Sequence, residues 1–504
     1  MVAVYSLNGV SEWGYGECEY ALLCVVDGHI ACFTGLCRHL SLTHKGKNKM
    51  LKKPGLFSFA LALTLYANSG LAAVSESDAA QLGRTLTPLG GELAGNQAGT
   101  IPAWTGGLTK APAGYAPGKH HIDPFPNDKP LFTITKSNLN QYKANLSDGQ
   151  IALFNTYPDT YQIPVYQTRR TAAAPQWVYD NTKYNAVNTR LESNGNSFSN
   201  ARGGTPFPIA TNAVEMLWNH IARYRGVYGI RNASEAVVQR NGNYSLVAAQ
   251  QEVLFKFYEN QGRSKQKDNI LFYYLSFVKS PARLAGGAVL VHETIDQTEN
   301  MRQAWAYNAG QRRVRRAPNL SYDAPIAASE GIRTADSTDM YNGSPDRYEW
   351  TLIGKKEIYI PYNNYKMTDP SVSYKELLQP GHVNPSVTRS ELHRVWVIEG
   401  TLHKGARHIY SKRRFYLDED SWQIVLADEF DSRGELWKVS IAYLKSFYEV
   451  PTTWTALDTF HDLQSRRYHV QNLDNEESDT IDFSMKSPDD RYFKPAALRR
   501  RGIR

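Results

Sequence analysis

His292 is followed directly by Glu293, the opening of a zinc-protease motif, but no second histidine completes HExxH. His120-His121-x-Asp123 offers imidazole and carboxylate ligands, yet it sits among Pro and Asn in a stretch that reads as solvated loop. Asp418, Glu419 and Asp420 form a tight acidic group between two strand-like runs. There they read as a hairpin turn, where Asp bonds its own backbone. Cys24, His29, Cys32, Cys37 and His39 are ligand types without a CxxC pair. The chain contains neither a GxSxG nucleophile elbow nor a GxxxxGK[ST] phosphate loop. A glycosidase-like carboxylate pair stays open, because it is set by distance in space rather than along the chain. The sequence therefore predicts no catalytic residue, no metal site and no cofactor.

Rings on alternate positions offer another chemistry, the burial of an apolar ligand. Tyr348, Trp350 and Leu352 fall on one strand face, Leu392, Trp396 and Ile398 on a second, and Trp437, Val439, Ile441 and Tyr443 on a third. Trp305 and Tyr307 repeat the spacing just before the Asn308–Gln311 turn, and Arg312, Arg313, Arg315 and Arg316 follow it. Arg312 and Arg316 share a face with Val314, while Arg313 and Arg315 take the other. Arginine on both faces is hard to bury, so the strand reads as a rim where guanidinium groups meet a phosphate or carboxylate. A charged edge that discourages aggregation fits it equally. The expectation is a cavity lined by Trp305, Tyr307, Tyr348, Trp350, Leu352 and Trp396 and rimmed by the four arginines. Taken one at a time, each ring also fits an ordinary core.

The elements that must position these residues divide in two. Before about residue 250 the chain reads as helices and irregular segments. Ser75 opens a short helix, Thr135 caps one bearing Leu139, Tyr142 and Leu146, and Ser147 with Gln150 forms a capping box. Thr211–Arg225 is the strongest helix, with Val214, Leu217, Trp218 and Ile221 on one stripe and Gly226 as the stop. From about Glu252 short strand-like runs alternate with turn residues, including Asn308–Gln311, Ile353-Gly354, Lys404-Gly405 and Asp431–Gly434. Such short loops mean antiparallel hairpins. The fold class is α+β, mainly β: a large curved antiparallel sheet, or open β-barrel, wrapped around helices.

The N-terminal region has its own logic. Met50 starts a segment with Lys52 and Lys53, an apolar run from Leu56 to Ala67 and small residues up to Ala73, the three parts of a secretory signal. All four cysteines precede Met50. The expected organisation is 1–49 as an upstream extension from a misplaced start, 50–73 as a signal peptide, and 74–504 as one periplasmic domain. Within that domain, 74–250 would hold the helices and 251–504 the β-meander. With no cysteine after the signal, neither a disulfide nor an acyl anchor on cysteine is expected there. Residues 1–73 hold six Lys/Arg and four Asp/Glu, so most of the formal charge of +8 stays in the remainder. That mild basicity suits an anionic membrane surface and falls short of a nucleic-acid binder.

The strings "WAYNAGQRRVRRAPNLSYDAP" (Trp305–Pro325), "DMYNGSPDRYEWTLIGKKEIYIPYN" (Asp339–Asn363), "ELHRVWVIEGTL" (Glu391–Leu402) and "KRRFYLDEDSW" (Lys412–Trp422) resemble the Gram-negative domain-of-unknown-function family 1329. So do "GGTPFPI" and "EMLWNH" around Gly203–His220. The resemblance implies a fold similar to the periplasmic lipoprotein carriers LolA and LolB, an open antiparallel barrel around helices with an apolar cavity. It implies a lipid or other hydrophobic ligand as cargo, and as partners an inner-membrane permease of the resistance-nodulation-division class and an outer-membrane protein. It supplies no catalytic residues. The expected function is thus a non-catalytic periplasmic carrier for lipid or lipoprotein acyl chains. The alternative is a secreted hydrolase with an aromatic-lined cleft, acting on envelope or sugar substrates.

Overall fold

The computed structural model describes residues 22–26, 29–33, 74–263, 269–297, 299–317 and 322–501. The chain divides into two compact units, Met1–Asn68 and Ser69–Arg504. In the first, Leu22–Val26 and His29–Phe33 pair as an antiparallel hairpin that carries Cys24, His29 and Cys32. Cys37, His39 and the signal segment 50–73 lie outside the described residues.

The second unit is built on one sheet of sixteen strands. In chain order they are β1 (Phe132–Ile134), β2 (Ile163–Val165), β3 (Tyr228–Val238), β4 (Tyr244–Leu254), β5 (Ile270–Ser280), β6 (Ala288–Thr294), β7 (Gln303–Asn308) and β8 (Arg313–Arg316). There follow β9 (Tyr348–Pro361), β10 (Ser390–Leu402), β11 (Lys412–Asp418), β12 (Ile424–Phe430), β13 (Leu436–Phe447), β14 (Thr452–Asp462), β15 (Arg467–Leu473) and β16 (Ile481–Asp482). Two antiparallel meanders, β3 to β8 and β9 to β15, meet where β3 pairs with β15. Beyond β10 the sheet ends in β2 and β1, and β2 joins β10 by the sheet's one parallel pairing among the described residues. The sheet is open, with β8 at one edge and β1 at the other.

The antiparallel register sorts the connections onto two rims. The turns 239–243, 281–287, 309–312, 403–411, 431–435 and 463–466 lie on one rim. The connections 419–423 and 448–451 lie on the opposite one.

The mainly β class with an open sheet agrees with the sequence, but three details differ. The first meander begins at Tyr228, well before Glu252. Residues 256–262 form a 3₁₀ segment where a strand was expected. Ile353-Gly354 is no turn: β9 runs straight through it with a bulge between Leu352 and Gly354, and Gly354 takes φ of +134°.

Helices α1 (Asp148–Thr156), α3 (Ala213–Ala222) and α4 (Pro495–Arg501) pack on the sheet, and α2 (Gln176–Asn188) packs on the short Glu76–Ala79 helix and the 256–262 segment. The Ser147 capping box at the start of α1 is complete, with both reciprocal bonds formed. Thr135 caps nothing: Asn138 precedes the short Leu139–Tyr142 helix and its side-chain oxygen accepts from the Thr135 N–H. The stripe of α3 enters the main core, which also holds Val395, Phe415, Leu426 and Val439 from the second meander. His220 fixes α3 in place. Its Nε2 donates to the Asp339 carbonyl at 2.8 Å and its Nδ1 accepts from the Ile424 N–H at 3.0 Å. Burial lowers its pKa to about 3, so the ring stays neutral.

Candidate functional site

The first meander has two faces. One faces the main core, while the other carries a second apolar cluster of its own. Strand pairing arranges that outer face in cross-strand rows. One row runs Glu252, Leu275, Leu290, Trp305 and Arg316; the next runs Gln250, Phe277, Ala288, Tyr307 and Val314. A third runs Tyr228, Leu254, Tyr273, His292 and Gln303. His292 lies against both Tyr273 and Trp305, with ring centroids 4.6 and 4.7 Å apart.

The C-terminal segment covers this face. Phe493 is fully buried and stacks on Tyr273 at 5.1 Å, and its carbonyl accepts from His292 Nε2 at 2.8 Å. Leu498 of α4 is buried in the same cluster. The Tyr492 hydroxyl donates to Glu252, as does that of Tyr228, and Lys256 Nζ pairs with Asp490 at 2.8 Å. Beneath this cover the Tyr307 hydroxyl is buried with no hydrogen-bond partner among the described residues. A buried hydroxyl in a native fold ordinarily finds a partner.

The structure brings Trp305, Tyr307 and Arg316 together on this face. Arg313 and Arg315 take the other face of β8, and Arg312 lies in the turn with φ of +51°. All four arginines are exposed. Tyr348, Trp350, Leu352 and Trp396 lie elsewhere, on β9 and β10. Tyr348 is buried and donates to the Tyr410 carbonyl at 3.0 Å. Trp350 stacks on Phe415 and donates to the Pro345 carbonyl. Leu352 and Trp396 are half-buried against the main core, with Lys355 Nζ 4.6 Å above the Trp396 ring.

Inside the unit, a cavity lined by Leu89, Ala173, Val178, Tyr224 and Thr453 has a volume of about 20 Å³, and one at Tyr161, Val383 and Tyr443 is of the same size. Each has room for about one water molecule.

The polar groups singled out in the sequence are tied down. Glu293 pairs with Arg302 at 2.6 Å on the side of β6 opposite His292. His121 is buried against Glu449 at 3.0 Å, whereas His120 bonds the Glu477 carbonyl, so the two do not converge. Burial lowers the His121 pKa. This corrects the solvated-loop reading of His120-His121-x-Asp123.

Asp418, Glu419 and Asp420 also depart from the solvated-turn expectation: all three are buried. Arg170 grips both oxygens of Asp420, and Tyr362 and Ser421 donate to Asp418 Oδ2. Burial, reinforced by the Asp420 charge, pushes the Asp418 pKa up to about 6. Glu391 and His393 complete this cluster. Glu391 is paired with Arg389, and His393 Nε2 lies 3.2 Å from Glu391. Ligand-type atoms of His393, Asp418 and Asp420 lie within 4.8 Å of one another. Asp420 there is already paired with Arg170, at 2.6 Å. The cluster instead ties the Arg170 segment to the β11–β12 turn. Glu391 and His393 escaped sequence reading because they lie on a strand buried on both faces, where polar residues carry no periodic signal.

Among the described residues, no helix is long and apolar enough to cross a membrane. A family model described as "Protein of unknown function (DUF1329)" matches residues 133–499. The "Uncharacterized protein PA3922" of Pseudomonas aeruginosa is 48% identical over 449 residues, covering 89% of this chain and 98% of that protein. Two solved structures are similar in fold. A Vibrio parahaemolyticus domain, provisionally described as outer-membrane lipoprotein-sorting, is 14% identical, covers 56% of this chain and 97% of that one, and has a TM-score of 0.39. The LolA superfamily protein NE2245 from Nitrosomonas europaea is 14% identical, covers 56% and 98%, and has a TM-score of 0.33. With a family model matching most of its length and a relative identical at nearly half the aligned positions, the chain belongs to the DUF1329 family.

Proposed function

We propose that the protein is a non-catalytic periplasmic carrier for a hydrophobic molecule with an anionic head group, such as a lipid or a lipoprotein acyl chain. The ligand lies on the outer face of β3–β8 in place of the C-terminal segment. The observation that carries this reading is the aromatic face covered by one short segment, with the Tyr307 hydroxyl beneath it lacking a hydrogen-bond partner among the described residues. The acyl chain runs over Leu275, Leu290 and Trp305, Tyr307 bonds a head-group oxygen, and Arg316 with Arg312 supplies charge-assisted contacts at the edge. Tyr348, Trp350, Leu352 and Trp396 belong to the wall of the main core in this reading. An inner-membrane permease and an outer-membrane protein are the partners this function calls for.

The energetics set a chain-length requirement. Displacing Phe493 and Leu498 gives up about 1.5–3 kcal/mol for each side chain. At about 0.8 kcal/mol per methylene, an acyl chain offsets that loss only after about four to eight carbons. Fluorescent fatty acids of increasing length test the point on the parent chain, on a variant ending at Pro488, and on Trp305→Ala. The parent is expected to bind long chains only, the truncated chain to bind shorter ones as well, and Trp305→Ala to weaken both. A truncated chain that takes up no acyl probe of any length sinks the reading.

A further inference from the structure

The six turns of the hairpin rim, 239–243, 281–287, 309–312, 403–411, 431–435 and 463–466, share a property that their sequences hide. Each carries an exposed cation: Arg240, Arg283, Arg312, Lys404, Arg433 and Arg466 in turn. Of these only Arg433 has an ion-pair partner among the described residues, Asp431 at 2.8 Å. On the opposite rim the connections 419–423 and 448–451 hold Glu419, Asp420 and Glu449, and these carboxylates are taken up by Lys355, Arg170 and His121. The hairpin rim is therefore the one that presents a row of exposed cations.

Two of the few exposed large aliphatic side chains lie on the cationic rim, Leu284 in the β5–β6 turn and Ile409 in the β10–β11 turn, 39% and 37% exposed. Unpaired cations beside exposed aliphatic groups are what a membrane interface recognises. The cations meet lipid phosphates while the aliphatic groups enter the acyl boundary. Neighbouring strands lie about 4.8 Å apart, so one cation per hairpin spreads the charge across a broad front rather than concentrating it in a groove. That spacing suits a sheet of head groups better than a single polyanionic strand or an acidic peptide.

From this we infer that the hairpin rim docks the protein on the surface of an anionic phospholipid bilayer. Apart from Arg312, which both would use, this docking surface is separate from the apolar face under the C-terminal segment. Its test leaves Trp305, Tyr307 and Arg312–Arg316 untouched and needs no acyl ligand.

Cosedimentation with vesicles separates the outcomes. The probes are phosphatidylcholine vesicles with and without phosphatidylglycerol, at low and at high salt. The proteins are the parent chain, the rim variant R240Q/R283Q/K404Q/R466Q, and a charge-matched control, R84Q/K110Q/K136Q/K375Q, altered at exposed cations elsewhere. Each cation near an anionic surface is worth about a fivefold change in partitioning. The rim variant should thus lose about a hundredfold or more, while the control stays within a few-fold of the parent. Binding should need phosphatidylglycerol and fade as salt shortens the Debye length from about 10 Å at 0.1 M. Parent protein that ignores anionic vesicles at low salt overturns the inference, including the case where it binds a soluble polyanion instead. So does equal loss in the rim and control variants, or equal binding to neutral vesicles.

Discussion

Leu498→Ala should weaken the fold and tighten ligand binding at the same time. Leu498 is 2% exposed, and truncating such a side chain ordinarily costs about 2–5 kcal/mol. The seven-residue helix that carries it cannot persist alone, so the loss falls on the docking equilibrium of the C-terminal segment rather than on the sheet. That shifts the docked-to-undocked ratio by a factor of about thirty at the low end of the range. A ligand competing with the helix pays that docking free energy in the parent, so its apparent affinity should rise by the same factor until the helix is open half the time. Hydrogen exchange should report faster amides in 490–498 with β3–β6 unchanged, and titration with a long-chain fluorescent fatty acid should report the gain. Leu426→Ala, a deletion of the same size in the main core, serves as the control: stability falls and affinity does not rise. Faster exchange of 490–498 combined with unchanged or weaker binding refutes the competition between helix and ligand.

Three further outcomes follow from buried charge. Burial pushes the Asp428 pKa up to about 7, so between roughly pH 4 and 7 the folded state holds a proton that the unfolded chain releases, and stability falls as pH rises. Asp428→Asn should therefore gain on the parent by up to about 4 kcal/mol at about pH 8 relative to about pH 4, measured by urea unfolding; a gap that does not change with pH contradicts this. Lys445 is buried with a hydroxyl partner, Thr368, and burial lowers its pKa to about 8. Lys445→Met should raise stability at pH 7 by about 3 kcal/mol, with the gap narrowing above about pH 8 and closing past about pH 10 in thermal melts, as first the folded and then the unfolded lysine gives up its proton. Arg413 grips both oxygens of buried Asp336 at 2.8 and 3.0 Å, and with His408 it holds that carboxyl well below the usual range. Arg413→Met should cost about 3–5 kcal/mol at pH 7 by leaving the carboxylate unpaired. The cost should shrink below about pH 4, where the unfolded carboxylate protonates. A loss under about 1 kcal/mol at pH 7 speaks against the pairing.

What the sequence announced and what it hid follow from how each element meets its neighbours. The α1 capping box and the α3 stripe were legible because they are local: Ser147 with Gln150, and Leu217 with Trp218 and Ile221, signal without tertiary help. The longest helix, α2, gave no signal because its inward stripe is polar. Val178, Asn181, Thr182, Asn185 and Ala186 face inward, and Asn181 and Asn185 spend their amides on the carbonyls of Gly203, Gln261, Arg202 and Thr205. Strand β14 escaped for a related reason. Thr453, Thr455, Asp458 and Thr459 are buried along with Leu457 and Phe460, so the alternation that marks a half-exposed strand is absent. In the candidate site, Trp305, Tyr307 and the arginines of β8 could be placed from spacing alone. Their cover could not, because Phe493 and Leu498 come from a segment remote in sequence, and only the fold reveals that they meet.

The pairing of β3 with β15 has a consequence for how the chain acquires its structure. Within each meander every strand pairs with its sequence neighbour, so each can assemble as its own residues emerge. The seam between them is different. Val238 must wait for Tyr468, with nearly half the chain lying between, and until then β3 presents a bare edge. The join is a late and slow event, because a long loop must close before the contacts across it form. In the exported carrier proposed above, that delay keeps the chain threadable while any part of it has yet to be made. The same delay makes the β3 edge the place where two half-folded copies would pair with each other instead.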